Sequence, residues 1–119
     1  MKCTTCAVAL LLAACGNGDP ADATQSGGNP SRGREVIRNA GCGSCHTIPG
    51  IRGAHGMVGP PLTAWSRRSL IAGNLPNSPG NLERWIGNAQ RVEPGTAMPD
   101  LDVSEQDARD AAAYLYTLR

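Results

Sequence analysis

The chain has 119 residues, a formal net charge of +1 and 18% charged residues, which indicates neither a basic nucleic-acid binder nor an acidic, unfolded tail. No acid-base residue pairs with a nucleophile in a pattern that predicts hydrolysis. Aromatic residues are few, with two Trp, two Tyr and no Phe, and a chain this short buries only a modest apolar core of its own. A bound apolar group would supply the missing bulk, although Leu, Ile and Ala can also fill a small helical core.

The N-terminal residues 1–14 have the pattern of an export signal. A short basic start precedes the apolar run from Ala7 to Ala14, which is too short to span a bilayer as a helix. The sequence Leu12-Ala13-Ala14-Cys15 resembles the lipobox of bacterial lipoproteins. That resemblance implies cleavage before Cys15 and acylation of this cysteine. An ordinary secretory signal that leaves Cys15 free is the alternative.

Residues 15–30 follow as the lipidated cysteine and a linker. From Gly16 to Pro30 the residues are small or polar with no large apolar side chain, a composition typical of a flexible tether. The remaining residues, 31–119, are predicted to form a single domain.

Three segments of this domain have the apolar spacing of amphipathic helices, and none has the alternation of a strand. The first helix has Ser31 as its predicted N-cap. The second opens at Asn77-Ser78-Pro79, where proline suits the first turn, and the last opens with a capping box between Ser104 and Asp107. Irregular loops over 49–61 and 93–99 separate them. The apolar positions of the three helices are Gly33, Val36, Ile37 and Ala40; Leu82, Trp85, Ile86 and Ala89; and Ala108, Ala111, Ala112, Leu115 and Leu118.

Cys42-Gly43-Ser44-Cys45-His46, directly after the first helix, is a C-x-x-C-H motif. In this motif the two thiols bond to the two vinyl groups of one porphyrin, and the histidine presents its imidazole to the iron. A zinc site would need a second ligand pair, but no cysteine follows Cys45. A redox dithiol of the thioredoxin type would need a βαβ context, and the sequence shows none. A chance coincidence of two cysteines and a histidine is the remaining alternative.

The motif, the helices and the loops together resemble the class I c-type cytochromes over residues 31–119. The resemblance implies an all-α cytochrome c fold, with about three to five helices wrapped around one covalently bound haem. It also implies that the first and last helices cross at Gly33, with Tyr114 filling the opposing face.

The same resemblance implies a role for each matching residue. Cys42 and Cys45 form the thioethers, and His46 is the proximal iron ligand. Gly59-Pro60-Pro61-Leu62 matches the family's G-P-x-L segment, in which the Pro60 carbonyl accepts a hydrogen bond from His46 and Leu62 packs on the haem. The other expected haem contacts are Trp65, Trp85 and a propionate partner, Arg67 or Arg68. The alternatives are that the Gly-Pro-Pro segment is a plain turn, that the two tryptophans are ordinary core residues, and that the arginines are solvated surface charges.

Met98 is the expected sixth ligand, since it lies 52 residues after His46, where this family places its distal methionine. His55 and Met57 follow His46 by only nine and eleven residues, and so short a loop would have to wrap the macrocycle. They and an open site stay as alternatives. Methionine ligation favours ferrous iron and so raises the reduction potential of the haem relative to ligation by two histidines.

The function predicted from this resemblance is a membrane-tethered monohaem cytochrome c, an electron carrier rather than an enzyme, in the bacterial cell envelope facing the periplasm. Its implied partners are a quinol:cytochrome c oxidoreductase and a terminal oxidase, with no nucleic acid. The alternatives are an electron-transfer subunit of a dehydrogenase or oxidase, and a haem enzyme or gas sensor with an open sixth site. Residues 31–119 carry ten Arg, eight acidic residues and no Lys, so net charge alone predicts weak steering of partners.

Overall fold

A computed structural model describes residues 26–119, so the predicted signal, the lipobox cysteine and most of the linker lie outside the described residues. This part of the chain is mainly helical, which confirms the predicted fold class. It also contains a short antiparallel ribbon that the sequence did not predict, because strands of two residues are too short to show alternation. The elements are α1 (Pro30–Asn39), a 3₁₀ turn (Cys42–Ser44), a second 3₁₀ turn (Trp65–Arg67), β1 (Leu70–Ile71), β2 (Leu75–Pro76), α2 (Pro79–Gly87), α3 (Ala89–Val92) and α4 (Glu105–Tyr116).

Helix α1 begins two residues earlier than the sequence predicted, with its N-cap at Asn29 instead of Ser31. Asn29 is its N-cap, and the Asn29 side-chain oxygen accepts hydrogen bonds from the backbone N–H groups of Ser31 (2.9 Å) and Arg32 (3.1 Å). Pro30 occupies the first helical position, where the missing N–H has no intrahelical partner to lose. The prediction of Ser31 as the cap was therefore wrong, because Pro30 lies inside the helix rather than before it.

The other two predicted helix starts agree with the structure. The Ser78 hydroxyl accepts from the backbone N–H of Asn81 (3.3 Å) at the start of α2. The Ser104 hydroxyl accepts from that of Asp107 (3.1 Å) at the start of α4. Both helices thus begin with a side-chain acceptor that satisfies a backbone donor of the first turn. Within residues 26–119 no helix is both long and apolar enough to cross a bilayer.

Helices α1 and α4 cross in backbone contact at Gly33. A Cβ atom on Gly33 would lie 2.5 Å from the carbonyl carbon of Asp110 and would overlap the carbonyl oxygen. The crossing is thus where the resemblance implied, with the backbone of α4 directly against Gly33. The Tyr114 hydroxyl donates to the Pro49 carbonyl oxygen (2.7 Å) and ties α4 to the loop after the cysteine motif.

The buried carboxylate of Asp110 holds the N-terminus of α1 onto α4. Asp110 is 1% exposed, and its Oδ1 accepts from the backbone N–H of Asn29 (2.8 Å) and from Gln106 Nε2 (2.9 Å). Its Oδ2 lies 3.1 Å from Arg32 Nε, whose side chain is largely exposed. The α1 cap and the helix crossing therefore share one acceptor in the core.

Replacing Asp110 with Asn is expected to lower the free energy of unfolding by about 2 kcal/mol, because its NH₂ group would replace an oxygen that faces a donor, whichever way the amide is turned. Chemical denaturation of the haem-loaded protein measures this. Asp107→Asn is the control: its carboxylate lies 3.6 Å from Arg32 at a more exposed site, so a loss under about 1 kcal/mol is expected. Equal losses in the two variants would contradict the role given to Asp110.

Candidate haem-binding site

The cysteine motif follows α1 after a short turn. Gly41, with φ of +74°, makes the left-handed turn after the helix, and Cys42–Ser44 then form a 3₁₀ turn. The His46 backbone N–H donates to the Cys42 carbonyl oxygen (3.0 Å), so the motif closes into a compact turn. Glycine suits this turn because a positive φ costs it nothing.

Both cysteines of the motif are free thiols and half-buried. Burial is the main cause that raises the pKa of the Cys42 thiol above its usual 9.0; a backbone hydrogen bond opposes the shift and the nearby Cys45 adds to it. Neither cysteine is committed to a disulfide, and both sulfurs are available for thioether bonds.

The imidazole of His46 is fixed by the Pro60 carbonyl. His46 Nδ1 lies 2.6 Å from the Pro60 oxygen, and since a carbonyl can only accept, Nδ1 carries the proton and donates. The Nε2 lone pair is then left for a metal, and such a hydrogen bond also raises the basicity of a ligand histidine. Sequence reasoning named this partner from the G-P-x-L match.

Gly59 allows the loop to pass against the histidine. A Cβ on Gly59 would lie 2.7 Å from His46 Nδ1, closer than side-chain atoms approach without a shift. The Gly59 backbone N–H donates to the Cys45 carbonyl oxygen (2.8 Å), so the loop is also pinned to the motif. The glycine is needed here for close approach.

One apolar cavity brings His46 and Met98 together. The empty space inside it is about 450 Å³, which includes open solvent at its mouth. Four of the predicted site residues besides Met98 line it: Cys42, His46, Leu62 and Trp65. The lining that sequence reasoning did not assign to the site consists of Ile37, Ile86, Leu101, Ala111 and Leu115. The helical stripes had marked all of these except Leu101 as buried positions, but not as walls of a cavity.

Trp65, one of the residues that line this cavity, carries a buried polar atom without a partner among the described residues. The side chain is 5% exposed, and its Nε1 has no hydrogen-bond acceptor among the described residues. A buried donor left unpaired is costly, and a haem propionate is an acceptor that would satisfy it. The donor set of two thiols, an imidazole, a thioether and this N–H therefore fits a covalently bound haem.

Three other predicted haem contacts lie away from the cavity wall. Arg68 donates to the carbonyl oxygens of Pro61 and Thr63 and lies 5.2 Å from the centroid of the Trp65 ring. Arg67 is exposed, and Trp85 is half-buried against the core. In this structure Arg68 therefore supports the loop that carries Pro60, and a propionate contact by either arginine stays a prediction.

The two competing sixth ligands also lie outside this cavity. His55 and Met57 are exposed, Met57 to 89%, and neither lines it. The backbone of His55 instead pairs with Thr47 in an isolated antiparallel bridge. Of the sulfur and imidazole side chains considered for the sixth position, Met98 is the one placed with His46.

The loop that carries Met98 is held by Gln90 of α3, which sequence reasoning missed. Gln90 Nε2 donates to the carbonyl oxygens of Thr96 (2.7 Å) and Met98 (2.8 Å), and Oε1 accepts from the Gly95 backbone N–H (3.3 Å). One amide thus replaces the regular backbone bonding that this loop lacks. No sequence pattern indicates such a contact between a short helix and the following loop.

A helical domain with C-x-x-C-H beside an apolar cavity defines the class of c-type haem proteins. Residues 30–119 match the Cytochrome c family, and the chain belongs to it. The predicted resemblance is thereby confirmed. Membership implies covalently bound haem c and a role in electron transfer.

The chain is also similar to two longer proteins, both named cytochrome c oxidase subunit 2. The protein from Alkalihalophilus pseudofirmus is 38% identical over 90 residues, which cover 75% of this chain and 25% of the relative. The protein from Bacillus sp. strain PS3 is 29% identical over 89 residues, which cover 71% of this chain and 25% of the relative. This chain thus spans about a quarter of the length of these relatives.

Proposed function

We propose that this chain is a monohaem cytochrome c with His46 and Met98 as axial ligands, and that it carries single electrons between respiratory partners at a membrane. The observation that carries the proposal is the shared cavity of Cys42, His46 and Met98. The bond from His46 to Pro60 supports the proximal role of the histidine.

The bound haem supplies a reversible one-electron change between ferric and ferrous iron. The protein's part is to hold the ligands and exclude water. Pro60 keeps the proton of His46 on Nδ1, so that the Nε2 lone pair would be free to bind the iron. The Met98 thioether favours the ferrous state, and Gln90 restrains its loop. With His46 and Met98 both bound to the iron, no coordination position is left for a substrate. This supports an electron carrier rather than an enzyme.

A terminal oxidase is the proposed electron acceptor, and a quinol:cytochrome c oxidoreductase is the proposed donor. The support for the acceptor is the similarity to proteins named cytochrome c oxidase subunit 2. The same similarity favours a second candidate, in which the chain acts as a fixed electron-transfer subunit of an oxidase. Co-purification in mild detergent separates the two, since only a fixed subunit would stay with the complex through gel filtration.

Acylation of Cys15 is the proposed membrane attachment, with the haem domain facing the periplasm of a bacterial cell. Its support is the lipobox pattern alone. Cys15→Ser is expected to release the protein from washed membranes into the soluble fraction. Retention of this variant on the membrane at the level of the wild type would contradict lipid anchoring.

The carrier function is tested on the haem-loaded protein by two readings. Mass spectrometry under denaturing conditions is expected to give the mass of the chain plus one haem. Cys42→Ser should lower or abolish the fraction of chains that keep the haem under these conditions. A spectroscopic redox titration is expected to follow a one-electron curve. A haem that dissociates on denaturation, or a mass with two haems, would contradict the proposal.

Gln90→Leu is expected to loosen the Met98 loop, because the carbonyls of Thr96 and Met98 lose their shared donor. The methionine–iron absorption band should be partly lost, and the pH at which the methionine leaves the iron in alkaline solution should fall. The protein should also be destabilised by about 1–2 kcal/mol. Gln106→Leu is the matched control, because Gln106 donates to Asp110 rather than to this loop. It should destabilise the protein but leave the band intact; equal weakening in both variants would contradict the role of Gln90.

A further inference from the structure

The buried indole of Trp65 follows a strained backbone position. Ala64, directly before it, has φ of +50° and ψ of +37°, a left-handed conformation that its Cβ disfavours. Backbone strain of this kind persists only where the surrounding contacts over-determine the conformation, and it clusters at binding sites. The 3₁₀ turn Trp65–Arg67 is therefore expected to be held in place by specific bonds.

The side-chain amide of Asn77 closes this turn from both ends. Asn77 Nδ2 donates to the carbonyl oxygens of Trp65 (3.2 Å) and Arg68 (2.9 Å). The Asn77 backbone N–H also donates to the Ser69 carbonyl oxygen (3.0 Å). An amide NH₂ group has two donors, and both are used here. One residue after β2 thus holds the first residue of the turn and the residue that follows it.

Tyr116 of α4 stabilises the direction in which this amide faces. The Tyr116 side chain is 5% exposed, and its hydroxyl donates to Asn77 Oδ1 (2.7 Å). The carbonyls of Trp65 and Arg68 can only accept, so Nδ2 must face them and Oδ1 must face the hydroxyl. A chain of hydrogen bonds therefore runs from the last helix through Asn77 to the backbone of Trp65.

Arg68 extends the same restraint to the Trp65 ring. Its guanidinium carbon lies over the ring, 5.2 Å from the centroid, a distance at which a cation and an aromatic face attract. Asn77 holds the backbone carbonyl of this arginine. The indole is thus restrained through its own backbone and through the residue that stacks on it, and both restraints begin at the Asn77 amide.

The restrained ring carries an N–H group that needs a partner. Trp65 lines the haem cavity, and its Nε1 has no acceptor among the described residues. None of the described residues that line this cavity is Asp or Glu, so a bound haem propionate is the acceptor that fits. The positive end of the N–H dipole would offset the carboxylate charge. That charge favours ferric iron, because the ferric state is the more positive one.

We propose that Asn77, with its amide oriented by Tyr116, is a positioning residue that fixes the Trp65 indole as a hydrogen-bond donor to the haem and so raises the reduction potential. The proposal rests on the haem binding and the one-electron function proposed above. Asn77 does not line the cavity, so it acts through Trp65. One electron is exchanged at the iron, and no bond is made or broken.

The test uses the haem-loaded protein and the substitution Asn77→Leu. Loss of the amide should free the indole, so its N–H is expected to exchange with deuterium about tenfold faster. The ratio of ferrous to ferric protein at a fixed applied potential should fall about threefold, which is roughly 30 mV for one electron. Nuclear magnetic resonance follows the exchange, with Trp65→Phe identifying the signal, and spectroelectrochemical titration measures the ratio. Tyr116→Phe keeps the ring in the core and should shift both readings in the same direction, so it decides the test if Asn77→Leu does not fold.

Asn81→Leu is the matched control for Asn77→Leu. The Asn81 side-chain amide donates to the Pro76 carbonyl oxygen (2.9 Å), which lies outside the Trp65 turn. This variant also loses an asparagine amide close to the start of α2. It should leave the indole exchange and the reduction potential at their wild-type values.

A double-mutant cycle with Trp65→Phe separates positioning from a general loosening of the fold. If Asn77 acts through the indole N–H, Asn77→Leu should change the potential little once Trp65 has been replaced. An equal change in both backgrounds, wild-type readings in Asn77→Leu, or an equal change in Asn81→Leu would overturn the proposal. A wild type that loses its haem on denaturation, or that does not titrate with one electron, would instead overturn the proposed function.

Discussion

Gly33→Ala is expected to lower the free energy of unfolding by about 3 kcal/mol, because the added methyl group meets backbone that cannot move aside. The Cβ would lie 2.5 Å from the Asp110 carbonyl carbon and 3.0 Å from the Ala111 nitrogen. These short contacts can be relieved only if α1 and α4 move apart. The same helices supply Ile37 and Leu115 to the walls of the cavity. Guanidinium denaturation of the haem-loaded protein, followed by far-ultraviolet circular dichroism, measures the loss.

Gly80→Ala is the matched control for Gly33→Ala. Gly80 lies in the first turn of α2, and a Cβ there would meet nothing within 4 Å. Alanine is the better helix former, so stability should be unchanged or higher by about 0.5 kcal/mol. If both variants lost the same stability, the close crossing of α1 and α4 would not be the cause.

Met98→Ala is expected to remove the sixth ligand from the iron. The reduction potential should fall by about 0.2 V, part of the roughly 0.8 V range that axial ligands set. The ferrous protein should also gain the ability to bind carbon monoxide, since a coordination position opens. Potentiometric titration and the carbon monoxide difference spectrum measure the two effects.

Two variants distinguish Met98 from the alternative ligands. Met57→Ala removes a thioether that is 89% exposed, and His55→Ala removes an exposed imidazole. Both are expected to keep the wild-type potential. A fall in potential in either variant, with Met98→Ala unaffected, would assign the sixth position to that residue.

The sequence predicted most of the features that have a local cause. Ser78 and Ser104 begin their helices as predicted, because a hydroxyl next to the first turn satisfies nearby backbone donors. The C-x-x-C-H motif and the G-P-x-L match identified the two sides of the His46 hydrogen bond, since family resemblance relates positions that are distant in the chain. The apolar stripes of α1 and α4 marked Ile37, Ala111 and Leu115 as buried.

Features that depend on contacts between distant segments were not predictable in the same way. Gln90 bonds to the Met98 loop, and Asp110 bonds to Asn29, through side chains whose types are common on helix surfaces. Arg68 turned toward backbone carbonyls beside the ring of Trp65, while its sequence position fitted a propionate contact equally well. The Ser31 cap was wrong because a proline is compatible with either side of a helix boundary.

The absorption spectrum of the ferric haem-loaded wild type tests the central claim most directly, since that claim is that His46 and Met98 both ligate one iron. The weak long-wavelength band of a methionine sulfur bound to ferric iron should be present, and carbon monoxide should leave the ferrous spectrum unchanged at neutral pH. Absence of the band, together with rapid carbon monoxide binding, would contradict the claim and indicate an open site.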